Sequence, residues 1–517
     1  WFSNSYYDMG NSTINGVPVL TVGGLYSTQY DAWAKQGGAS VVVLPASRLP
    51  LSIASSGLTQ DSSDATGKTY FIASAADLDK LLPYIQSAAG GVVNGYTFKL
   101  ANDISMTGAT TAYLPYFGAT EFKGNTYSVN NFAYSRVATA HIGFLGAVYK
   151  STLTDLKVST SGFVSGLEYV GSAVGSAYNA VISGGLSTLS ADVSGTNFIG
   201  GYAGYVGQSV LYNTSSALGT SATVRNSNSS NNNAAPSTGD VGGLVGWADG
   251  VAATNLTSNL PVAGTSKAGG LMGYYNSGYA PNNANVTNNL GTQLTASGTV
   301  TGTSYVGGLI GQYSFSPGSS ITTDVTSLSY SSATGVVTGS STYVGGLIGS
   351  ANGSVFDNLW ASGAVTQSAS NNVGGLIGGL GTFYNQWTGI YYGGKLTNSR
   401  ATGNVIGSGS GSAGGLVGNS SGNSIANSYA TGNVTAIGTY AGGLVGYSTT
   451  PINASYATGI VTNSSGQTGG FGGGGTSGGK STSNGSSSAA STSAAGSVSV
   501  PVSAICDSAS LSAAASC

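Results

Sequence analysis

Short apolar runs recur along most of this chain, with Val, Leu, Ile or Tyr alternating with a small or polar residue at a period of two rather than 3.6. The pattern predicts many short strands and an all-β fold. Its clearest element is a core of form [VIA]-G-G-[LY]-[VIMA]-G, with copies starting at Ile199, Val241, Ala268, Val306, Val344, Val373, Ala413 and Ala441. Looser copies start at Ile142 (IGFLGAV) and Val170 (VGSAVG), and a decayed one starts at Gly469 (GGFGGGG). The starts lie about 28 residues apart, with insertions of about 10 to 14 residues in some units.

A second phrase recurs around each core: Ala401-Thr-Gly-Asn-Val, Ala430-Thr-Gly-Asn-Val and Ala457-Thr-Gly-Ile-Val before it, and Ile425-Ala-Asn-Ser-Tyr after it. Each unit therefore offers two or three strands joined by Gly-rich corners, and a unit this short cannot bury its apolar face alone. Stacking each unit on the next solves the problem, which predicts a parallel (right-handed) β-helix solenoid over 142–468. A propeller needs longer blades, and a sandwich does not repeat this regularly. Ten or so coils at about 4.8 Å each give a rod on the order of 50 Å long.

Upstream, residues 66–141 read as a lead-in that caps the stack. Ser74 is placed to cap a short helix whose apolar stripe is Leu78, Leu81, Leu82 and Ile85, and Pro83 kinks or ends it. A strand follows over Tyr96 to Ile104. Residues 1–65 look like the end of a preceding repeat array and its connection, implying a longer parent protein. Downstream, 469–497 is Gly/Ser-rich without apolar periodicity and reads as a flexible linker. Residues 498–517 then hold the two cysteines, Cys506 and Cys517.

Composition narrows the function. Only 6% of residues are charged and the formal net charge is −2, while 40% are hydrophobic. The hydrophobic share argues for a folded chain, and the lack of a basic run argues against nucleic-acid binding or electrostatic membrane attachment. No run of 18 apolar residues is present to predict a membrane span. An even cysteine count, in a composition typical of exported proteins, favours one disulfide; closing that loop constrains the unfolded chain by roughly 3 kcal/mol. On the residues alone the loop is either a terminal staple or an anchor.

The cores VGGLVG, VGGLIG and AGGLVG with their NSYATGNV flanks resemble the GLUG repeats of large bacterial exoproteins related to filamentous haemagglutinin and secreted by the two-partner route. The lead-in YFIASAADLDKLLPYIQ, YTFKLANDISM and YLPYFGATEFKG is similar to that of the same family. The resemblance implies a cell-surface adhesin of a Gram-negative bacterium. It also implies that Cys506 and Cys517 form a C-terminal hook, held at the outer-membrane translocator as the partner that tethers the rod. A glycan, a matrix polysaccharide or another cell's copy is the expected ligand. A self-associating filament or surface-layer subunit is the alternative.

Catalytic chemistry is sparse. Carbohydrate-active β-helices gather carboxylates, Lys or Arg on one face, but here Asp155, Glu168, Asp192, Asp240, Asp249, Asp324 and Asp357 share no offset between adjacent units. His141 is the single histidine and reads as structural. No zinc-ligand spacing or Asp-rich calcium loop appears, and no cofactor is implied. The P-loop spelling from Gly474 to Ser481 lies in low-complexity sequence without strand or helix and is set aside. The sequons at Asn255, Asn285, Asn433 and Asn453 are equally easy to obtain by chance. The insertions hold the remaining candidates, Tyr274, Tyr275 and Tyr279, then Tyr384, Trp387, Tyr391 and Tyr392. These aromatics either stack on sugars or cover the rod's apolar flank.

Overall fold

The computed structural model describes residues 53–85, 93–226, 239–276, 291–315 and 326–474, apart from 354, 370–371, 386–389 and 423, together with the backbone of 13–14, 17–18 and 491–493. Within them the chain is mostly β, and three long sheets of 13, 34 and 10 strands arise because each repeat winds through the same succession of strands. The coil starting at Tyr343 shows the order. Tyr343–Gly345 lies in the 10-stranded sheet and Ile348–Asn352 in the 13-stranded one, while Val355–Asp357, Trp360–Ala361 and Val365–Gln367 enter the largest. Each strand pairs in parallel with its counterpart one repeat on, Val344 with Val373, Ile348 with Ile377 and Val365 with Val405. This stacking is consistent with a parallel β-helix.

Repeat register and strand register coincide. Ile199, Val241, Ala268, Val306, Val344, Val373, Ala413 and Ala441 stand opposite one another in turn. Val170 pairs with Ile199 and bridges Ile142, so the loose copies join the same column. The fourth and fifth core positions, such as Leu347 and Ile348, Leu376 and Ile377, or Leu416 and Val417, are fully buried and stack coil on coil. Each such side chain contributes about 1.5–3 kcal/mol relative to exposure.

The Gly-Gly pair is a steric requirement. A Cβ on Gly345 would collide with the carbonyl of Ile348 in its own coil, and one on Gly346 with the carbonyl of Gly375 in the next. The phrase NSYATGNV is equally legible. Asn358, Asn398 and Asn427 turn the corner at φ 53, 50 and 50, where Asn is the best tolerated non-glycine residue. The next residues form a serine ladder: Ser399 N donates to Ser428 Oγ and Ser428 N to Ser455 Oγ, each 3.1 Å. Further along, Asn404 Oδ1 accepts from Asn433 N, and Asn433 Oδ1 from Ile460 N. The serine and the second asparagine of the phrase thus satisfy backbone donors that the corners would otherwise orphan.

At the other end, Asp77 Oδ2 accepts from the backbone N–H of Ser74 at 3.1 Å and of Ala73 at 2.9 Å, starting helix Ala75–Leu81. The helix stops before Pro83, which lies in the 3-10 turn Leu82–Tyr84. Leu78, Leu81 and Ile85 are buried in the core with Ile53 and Ile72, whereas Leu82 is only partly buried. The strand expected over 96–104 is divided into Thr97–Leu100 and Ile104–Ser105.

At the C-terminal end, strands continue into the stretch expected to be linker. Gln467–Gly469 and Gly472–Gly474 extend two sheets, and the backbone of Ser491–Ser493 pairs in parallel with Val461–Asn463. Cys506, Cys517 and most of the expected preceding array lie outside the described residues.

Candidate functional site

Of the units longer than about 28 residues, three carry their insertion at the same corner, after Met272–Asn276, after Ile310–Ser314 and within Ile377–Asn385. The last forms a hairpin, Ile377–Asn385 running antiparallel to Ile390–Gly393, with Phe383 opposite Tyr392 and Tyr384 opposite Tyr391. Alternation along a strand sends these two pairs to opposite faces. Tyr384 and Tyr391 are 50% and 68% exposed, with ring centroids 4.6 Å apart at 38°. Both side chains are largely exposed, so the pair offers a platform for an apolar ring face flanked by hydrogen-bonding groups.

Of the two roles open to the insertion aromatics, Tyr392 takes that of covering the rod's apolar flank and not that of contacting a ligand. It is 2% exposed and packs edge-on against Phe315 at 5.5 Å. Tyr275 is likewise buried and donates to Val251 O at 2.8 Å. Two adjacent tyrosines on a strand face opposite ways, so Tyr391-Tyr392 and Tyr274-Tyr275 each had to lose one member to the interior. Trp387 and Tyr279 lie outside the described residues.

A second cluster was hidden in the sequence because its members are one coil apart. Lys267 Nζ lies 2.9 Å from Asp240 Oδ1 and 4.6 Å from the centroid of the Tyr274 ring. Burial pushes the Asp240 carboxyl up to about 6 against the opposing pull of Lys267. Asp249 is also raised by burial, while Asn276 Nδ2 donates to its Oδ1 at 2.8 Å. The signal was available: Asp240 and Lys267 both immediately precede a repeat core.

Stacked rings lead into this cluster. His141 and Tyr169 are 4.6 Å apart, Tyr169 and Phe198 5.0 Å, Phe198 and Trp247 5.0 Å, and Trp247 and Tyr274 5.8 Å. The rings cover one another's faces, so little face is left for a sugar. His141 is held by Ser176 Oγ at 2.7 Å from Nδ1, and burial lowers its basicity. With both acids bonded to neighbours and the rings stacked, this column serves as a brace between coils. The tyrosine hairpin is the better candidate for recognition.

Among the described residues no group of three His, Cys, Asp or Glu is placed to hold a metal ion, and no helix is long and apolar enough to cross a membrane. In comparisons with known proteins, no family model, curated protein or solved structure matches the chain.

Proposed function

We propose that this chain is the stalk of a bacterial cell-surface adhesin of the two-partner-secreted type, a right-handed parallel β-helix that holds a binding surface away from the cell. The observation that supports this reading most is the coil-on-coil stack itself. A 10-stranded parallel sheet implies a rod on the order of 50 Å. With few charges and every coil braced to the next, such a rod is suited to spacing and display. On this reading Tyr384 and Tyr391 contact a glycan, a matrix polysaccharide or another cell's copy, and a Cys506–Cys517 loop anchors the chain at its outer-membrane translocator.

The test is to change Cys506 and Cys517 to Ser in the parent cell and compare cell-bound and medium fractions by non-reducing immunoblot. Release into the medium is expected. Unchanged retention overturns the anchor and leaves the loop as a terminal staple.

A further inference from the structure

The largest sheet presents an outer face whose chemistry is unlike the rest of the rod. Its central column is Thr301, Thr338, Thr366, Ile406, Thr435 and Thr462, paired in register from coil to coil without a bulge. All six point outward, each preceded by a buried residue, and Ile406 is 44% exposed. Ser340, Ser368, Ser408 and the half-exposed Ile437 flank the column on one side. On the other side the flanking column includes Val336 and Ile460, which are 47% and 50% exposed. The three columns carry hydroxyls, methyls and amides and no ionisable side chain.

Two properties set this face apart as a lattice. First, threonine is stiff at χ1, so its hydroxyl and methyl are held in fixed directions rather than averaged over rotamers. Second, the spacings lie near those of hydrogen-bonded water. In a tetrahedral network built on O–H···O distances of about 2.75 Å, second-neighbour oxygens lie about 4.5 Å apart and the stacking repeat is about 7.3 Å. Parallel strands supply about 4.8 Å between coils and about 6.6 Å between alternate residues. Across six coils the accumulated misfit is about 1.5 Å, and across three columns about 1.4 Å, both under one hydrogen-bond length. A charged side chain would impose its own hydration shell on such water, and the columns have none.

We infer that this Thr-rich face binds ice, ordering water through its columns of hydroxyls and methyls. A solid lattice is favoured over a single soluble molecule because five of the six positions in the central column carry threonine, coil after coil. The reading is independent of the adhesin proposal, since neither the tyrosine hairpin nor the cysteines take part.

The experiment uses the full chain in ice-recrystallisation and thermal-hysteresis assays. Three proteins are compared: the natural sequence, the double variant Thr366→Tyr/Thr435→Tyr, and the control Gln312→Tyr. The control lies in a column of another sheet that already carries Tyr274. The expected result is inhibition of crystal growth by the natural chain, at least a tenfold loss in the double variant and no loss in the control, with matching circular dichroism for all three. No ice activity in the natural chain overturns the inference. Retained activity in the double variant, or equal loss in the control, overturns its assignment to this face.

Discussion

The stack from Ile142 to Asn276 and the stack from Val337 to Gly474 share one ladder of backbone hydrogen bonds but brace it in different ways. In the first, rings and ions join successive coils: the column from His141 to Tyr274, Arg225 with Asp192 at 2.7 Å and Lys267 with Asp240 at 2.9 Å. In the second, serine and asparagine ladders run from coil to coil, joined by the stacked rings of Tyr429 and Tyr456 at 5.0 Å and by Arg400 over the Trp360 ring at 5.1 Å. The difference follows the sequence. Where the repeat is loose in its flanking phrase, each coil depends on particular neighbours; where that phrase recurs strictly, every unit supplies the same local bonds. The strict region is therefore tolerant of unit number, while the loose region is tolerant of local sequence.

The comparison breaks most severely at the glycines. Gly375→Val in the strict region would drive a β-branched side chain into the backbone carbonyl of Gly415 and against the Cβ of Ala401. A loss of more than about 4 kcal/mol is expected, seen as a separate early unfolding phase of the C-terminal coils in urea. In the loose region Ser172 already occupies the equivalent place, and its hydroxyl donates to Gly201 O at 2.7 Å. Ser172→Ala is accordingly expected to cost only about 1 kcal/mol. Similar losses for the two changes would remove the distinction.

The ion pair gives the next largest effect and a pH signature confined to the loose region. Asp240 is held near 6 in the folded chain, above the ordinary carboxylate value, so the native state binds its proton more tightly than the unfolded state does. Its contribution is fully present below about pH 4 and is lost as pH rises through 6, by about 3 kcal/mol. Asp240→Asn is expected to flatten urea stability between pH 4 and pH 6.5. A slope unchanged by the substitution would assign the titration elsewhere.

Much of the fold was legible because repeat and coil are the same length. The column from Ile199 to Ala441 could be aligned on paper before any strand was paired, and Ser74 and Pro83 marked the ends of the lead-in helix. The candidate site was less legible. Which of Tyr391 and Tyr392 stays outside depends on the hairpin's register, and that register is set by the pairing of Ile377–Asn385 with Ile390–Gly393 rather than by any residue type. The partnership of Asp240 and Lys267 was missed for a different reason. Acids compared only with acids show no shared offset, whereas an acid and a base in successive coils share theirs.

The smallest effect tests whether the strict region truly divides its bracing equally among coils. Ser428 is 1% exposed; its Oγ donates to Ala426 O at 2.7 Å and accepts from Ser399 N at 3.1 Å. Ser399 occupies the same position one coil earlier, donating to Thr397 O at 2.6 Å and accepting from Leu359 N at 3.1 Å. Changing either to Ala strands one buried N–H and should cost about 1–2 kcal/mol, with the two losses equal within about 0.5 kcal/mol. Urea unfolding of the two single variants and the double variant measures this directly. Because the two serines touch successive rungs of one ladder, the double loss should fall short of the sum if the ladder is cooperative. Simple additivity would mean that each coil carries its own hydrogen bonds, so that a strict repeat gains length without gaining coupling.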